Sequence, residues 1–111
     1  MQTTVNHVAR DNEGYLLDPE DWNEELARAL AGELSLALDE ERREIVLFVR
    51  NYYEENASVP EARRVLRHMK QQWGEEKATR KYLYSLFPGG YGQQACKIAG
   101  MRKPLKLMLD V

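Results

Sequence analysis

Cysteine, histidine, phenylalanine and proline are all scarce in this 111-residue chain. The single cysteine, Cys96, excludes an internal disulfide and fits a reducing compartment. His7, His68 and that one thiol match no zinc spacing, so no metal site is expected, and no cofactor motif stands out. Gly89-Gly90-Tyr91-Gly92 could turn amides toward a phosphate, but no Lys-Ser/Thr pair follows it and a plain turn explains it. The longest apolar run, Ile45 to Val49, falls far short of the roughly 20 residues that cross a bilayer, so no membrane span is expected. Met1-Gln2-Thr3-Thr4 has neither the basic nor the apolar region of a secretory signal, which points to the cytoplasm. Repeats and low-complexity tracts are absent. With 43% hydrophobic and 31% charged residues, the composition is that of one globular domain over residues 1–111.

Charge is present in both signs but unevenly placed. Residues 1–57 hold 5 Lys/Arg and 14 Asp/Glu, net −9, whereas residues 58–111 hold 11 and 4, net +7. Such a split suggests a basic face for an acidic protein or nucleic acid, or two halves that complement each other internally. A pI near 5.7 weighs against a dedicated nucleic-acid binder.

The pattern along the chain predicts an α+β fold, mainly α. Residues 3–17 read as a short β element, with Val5, Val8, Tyr15 and Leu16 flanking the Asp11-Asn12-Glu13-Gly14 turn. Residues 18–99 read as an array of about five helices. Asp18 is positioned to cap the first, with Pro19 at its start and Trp22, Leu26, Ala29 and Leu30 at helical spacing. Asp39 caps the second, whose broad apolar set (Ile45, Val46, Phe48, Val49, Tyr52, Tyr53) marks it as the central helix. Ser58-Val59-Pro60-Glu61 has capping-box spacing ahead of a third helix carrying Ala62, Val65, Leu66, Met69 and Trp73, which Gly74 stops. A fourth runs over about 77–87 and a short fifth over about 92–99, with an arm at 100–111. The third and fourth helices form a helix–turn–helix-like pair carrying Arg63, Arg64, Arg67, Lys70, Lys77, Arg80 and Lys81. This arrangement is also common in plain bundles, so nucleic-acid binding is only weakly indicated.

Cys96 is the leading chemical candidate. On a helix through 92–99 it would lie in line with Gly92 and Gly100, which have no side chains to cover it, while Lys97, Arg102 and Lys103 would favour the thiolate. A buried, inert thiol is the competing reading.

Lys81-Tyr82-Leu83-Tyr84-Ser85-Leu86-Phe87-Pro88-Gly89-Gly90, continuing through Ala95-Cys96-Lys97-Ile98-Ala99-Gly100 to Lys103-Pro104, closely resembles the C-terminal signature of the DsrC/TusE family. Supporting matches are Gly14-Tyr15-Leu16, Trp22, the Phe48-to-Glu55 helix, Pro60 with Arg63, and Gly74-Glu75-Glu76-Lys77. The resemblance implies a small β meander packed on helices, a mobile C-terminal arm and persulfide trafficking. Its implied partners are TusBCD-like relay proteins and a tRNA 2-thiouridylase, or a sulfite reductase-like protein. The family's principal cysteine is penultimate, and that position aligns with Leu107 here; Cys96 matches a second, upstream cysteine. Tyr91-Gly92 and Arg102 replace what are usually Pro-Ala and Pro.

Two functions follow as expectations. One is a TusE-like sulfur carrier for tRNA wobble-uridine 2-thiolation or related trafficking, with Cys96 the only possible persulfide site. The other is a non-catalytic paralogue that regulates or scaffolds sulfur metabolism, offering Arg63, Arg64, Arg67, Lys70, Arg80 and Lys81 to a partner or nucleic acid. Leu105, Leu107, Leu109 and Val111 alternate along the arm, a pattern suited to docking as an extended strand on the protein's own body or a neighbour.

Overall fold

The structure, a computed structural model, describes residues 8–103. Val5 and His7, and the expected docking of the arm from Pro104 onward, lie outside the described residues.

The N-terminal β element is not found. Among the described residues the sole β pairing is an isolated antiparallel bridge between Arg10 and Leu16, so the described fold is helical rather than α+β. The turn itself forms. The Asp11 carboxylate accepts from the amides of Glu13 and Tyr15, both at 2.9 Å, and the Asp11 amide donates to the Tyr15 carbonyl at 2.8 Å. Extension stops there for two reasons. Tyr15 and Leu16 are consecutive and both buried, which a strand with one buried face cannot accommodate. Three residues later Pro19 opens a 3-10 turn, Pro19–Asp21, capped by the Asp18 side chain on the Glu20 amide.

Helix α1 spans Glu24–Glu33, and its cap is Asn23, accepting from the Leu26 amide. Helix α2, Glu40–Asn56, is capped by Asp39 on the Arg42 amide and buries Ile45, Val46, Val49 and Arg50. Ala57, in the left-handed region, ends it. Helix α3, Ala62–Trp73, has Glu61 rather than Ser58 as its cap residue, without a side-chain capping bond. Its buried face is Ala62, Val65 and Met69, three and four residues apart. Helix α4 is Arg80–Leu86, capped by Thr79. A π-helical turn, Tyr91–Ala95, leads into the single turn α5, Cys96–Ile98.

Helix α2 packs against α3 and against the 91–98 segment, which α1 also covers. Leu26, Leu30, Ile45, Val49, Leu83, Phe87 and Ile98 have no exposed surface. Each such side chain contributes about 1.5–3 kcal/mol through removal from water. The C-terminal segment is thus part of the core, and this decides the state of its thiol.

Candidate functional site

A π-helical turn is wider than an α-helix and takes main-chain groups off the regular ladder. Here it starts at Gly90, whose φ of +110° a side chain would strain. Side chains from three distant elements bond the carbonyls of this segment. The Tyr15 hydroxyl donates to Gly92 at 3.2 Å, the Trp22 indole N–H to Ile98 at 2.8 Å, and Arg50 Nη1 to Ala99 at 3.2 Å. Arg50 Nη1 also donates to the Pro19 carbonyl at 2.9 Å, tying the N-terminal turn to the same point. In return, the Tyr91 hydroxyl donates to the Pro60 carbonyl at 2.7 Å.

Arg50 is the unusual member, a guanidinium only 7% exposed. It lies 4.8 Å from the Trp22 ring and 6.0 Å from that of Tyr53, with Glu54 3.5 Å from Nη2. Its buried Nε has no hydrogen-bond partner among the described residues. Cation–π contacts, two carbonyls and the Glu54 carboxylate together compensate the buried charge. Gly100 completes the seal. Its φ is +78°, and an added Cβ would sit 2.8 Å from the Cβ of Trp22.

Cys96 lies under this clamp with no exposed surface. Burial pushes its thiol from an ordinary 9.0 up to about 12, outweighing the lowering effect of the nearby Tyr91 phenol. At neutral pH the thiol is therefore held protonated rather than as the thiolate, the form that attacks sulfur. Of the two readings open from the sequence, an accessible thiol and a buried one, the structure has the buried one. Gly92 and Gly100 are themselves buried, so they open no path to the sulfur. Nor do the neighbouring cations activate it: Lys97 Nζ lies 4.9 Å from the Tyr15 ring, Lys103 pairs with Glu13, and Arg102 is exposed.

Of the seven basic residues along α3, α4 and the turn between them, four are engaged. Arg63 and Arg64 both meet Glu61, at 3.1 and 2.9 Å; Lys70 meets Glu75 at 3.1 Å, and Lys77 meets Glu41 at 2.8 Å. Arg67, Arg80 and Lys81 are exposed and form no ion pair with a described residue. Helix α4 is tied to α2 rather than set apart for groove reading. Arg42 donates to the Leu86 carbonyl at 2.8 Å, and the Tyr82 hydroxyl bonds Glu41.

The clamp residues Tyr15, Trp22, Arg50 and Tyr91 escape a reading by residue type. A signal for Arg50 exists, since it falls one turn after Val46 on the apolar stripe of α2, where a charge needs a reason.

The family model described as DsrC like protein matches residues 2–108. The sulfurtransferase TusE of Pectobacterium atrosepticum is 48% identical over 99 residues, covering 89% of this chain and 91% of that protein. The TusE of Yersinia pestis is 46% identical over the same length, again covering 89% of this chain and 91% of that protein. Among solved structures, the oxidized gamma-subunit of the dissimilatory sulfite reductase (DsrC) from Archaeoglobus fulgidus is similar, with a TM-score of 0.82 at 34% identity. That match covers 88% of this chain and 90% of the other. Allochromatium vinosum DsrC gives 0.78 at 43% identity, covering 88% of each chain.

Proposed function

The chain belongs to the DsrC like protein family and is a TusE-like sulfur-relay protein, and we propose that it handles sulfur through Cys96 as a gated carrier. The observation that carries the reading is the clamp itself. Besides its packing in the core, the short segment that carries the thiol is held by three side-chain-to-carbonyl bonds, and on this reading their release opens the segment and exposes the sulfur. In the open form the Cys96 thiol gives its proton to solvent, and the thiolate attacks the outer sulfur of a donor persulfide. A new S–S bond forms as the donor's breaks, and the donor leaves as a thiolate that takes up a proton. A second, equivalent exchange passes the sulfur to an acceptor thiolate, with no net oxidation.

The donor and acceptor that suit this chemistry are a TusBCD-like relay protein and a tRNA 2-thiouridylase, placing the chain in wobble-uridine 2-thiolation in the cytoplasm. TusE names among the relatives support that assignment.

A second reading, the non-carrier paralogue acting on a sulfite reductase-like or other relay protein, draws on two substitutions that point the same way. Leu107 stands where the resembled family carries its principal cysteine. Tyr91 replaces a usual proline and supplies the phenol beside the remaining thiol.

Incubation with a persulfide donor, followed by intact-mass measurement, separates the two. The carrier reading predicts a gain of one sulfur atom on Cys96 that Cys96→Ala abolishes. No gain under conditions that load a control surface thiol assigns the paralogue. Leu107→Cys with truncation after Met108 then asks whether the body still serves a relay, and failure of that variant to take sulfur from a relay donor favours the regulatory role.

A further inference from the structure

Between α2 and α3 runs an open groove of about 200 Å³, lined by Phe48, Tyr52, Arg64, Arg67, His68 and Gln71. It lies outside the clamp, and no carboxylate lines it. Glu61 and Glu44 hold Arg64 and His68, at 2.9 and 2.7 Å respectively. Arg67 is exposed, without an ion pair to any described residue. The groove therefore offers one guanidinium with its donors uncommitted and a second beside it, above an apolar floor.

We propose that this groove is a docking site for an acidic peptide segment of a partner protein, with an aliphatic side chain on the floor and a neighbouring carboxylate on Arg67. A guanidinium forks onto a carboxylate with two parallel donors, a geometry that fixes orientation as well as charge. A stacked nucleobase is disfavoured because a face of each aromatic ring, Phe48 and Tyr52, is already taken, while both rings still line the groove. His68 already stacks on Phe48 with ring centroids 4.3 Å apart, and the Arg64 guanidinium lies 5.6 Å from the Tyr52 ring. The relay reading identifies that partner as a sulfur donor or acceptor; the groove's affinity for acidic peptide does not depend on Cys96.

The test uses the full chain carrying Cys96→Ala, so that sulfur loading plays no part, and a fluorescein-labelled octapeptide of alternating glutamate and leucine. Fluorescence polarisation is expected to show binding at low salt that weakens as salt rises. The glutamine–leucine counterpart is expected to bind at least tenfold more weakly, as is the acidic peptide to Arg67→Glu. Arg80→Glu, which alters an equally exposed cation outside the groove, is expected to bind like the parent. Equal losses for Arg67→Glu and Arg80→Glu would reduce the effect to general charge and overturn the proposal. So would the absence of binding at low salt, or displacement of the peptide by an octa-uridylate at lower concentration than by unlabelled peptide.

Discussion

The 91–101 segment and the α3–α4 surface both lie in the basic half of the chain, yet they solve opposite problems. In the first, an irregular backbone is buried, and its carbonyls borrow donors from Tyr15, Trp22 and Arg50, residues 49 to 77 positions away. A thiol enclosed by that arrangement loses access to water and, with it, the thiolate. On the second surface the cations remain in solvent, and Arg63, Arg64, Lys70 and Lys77 are matched by carboxylates, locally at Glu61 and Glu75 and across the two halves at Glu41. Part of the −9/+7 split is thus neutralised internally. The comparison teaches that proximity in sequence to Lys97, Arg102 and Lys103 says little about a thiol's ionisation. Its burial decides it.

The comparison can be broken most strongly at Arg50. Arg50→Ala leaves the Pro19 and Ala99 carbonyls unpaired and a void beside Trp22, and is expected to cost about 3–5 kcal/mol. Urea unfolding measures it, and a loss below about 1 kcal/mol would mean the clamp is ornamental. Next comes Gly100→Ala, which combines a left-handed backbone with contact against Trp22, for about 2–4 kcal/mol by the same assay.

A smaller effect comes from pH. Below pH 9.0 the Cys96 thiol is protonated in both states; between 9.0 and about 12 the unfolded chain releases a proton that the folded chain keeps. Stability therefore falls as pH rises, by at most about 1.4 kcal/mol per unit from this group. Tyr15, raised from 10.0 to about 12 by its own burial, adds to the fall from pH 10.0 upward. Cys96→Ala should flatten the stability profile between pH 9 and 10 and leave the tyrosine part standing. Smallest of all, Arg80→Gln with Lys81→Gln should shift stability by no more than about 0.5 kcal/mol per site, since neither side chain has an ion partner among the described residues.

Much of the helical array was legible because it rests on local rules. Asp39 caps α2 as its position suggests, Gly74 ends α3, and the Ala62-Val65-Met69 face follows helical spacing. Errors arose where tertiary contacts override those rules. Asp18-Pro19 has the signature of a helix start but yields a 3-10 turn, and Asn23 restarts the chain into α1. The Asp11–Gly14 turn forms, but among the described residues it joins only an isolated bridge rather than strands. At Cys96 an α-helical phase placed the sulfur on an open flank; the π turn and the indole of Trp22, 76 positions from the Ile98 carbonyl it bonds, place it in the core. No local pattern encodes a contact of that range, whereas Arg50 on an apolar stripe was a visible anomaly.

The central claim, a sealed thiol released by local opening, is tested most directly by the rate at which a thiol-reactive disulfide reagent modifies Cys96 in rising urea. The account predicts slow labelling at neutral pH relative to an unfolded control. It also predicts a rate that stays nearly flat at low urea, because a segment of about ten residues exposes little surface, before joining the steep limb of global unfolding. Labelling as fast as a free cysteine in water, or a rate that follows the global unfolding slope from zero urea upward, would contradict it.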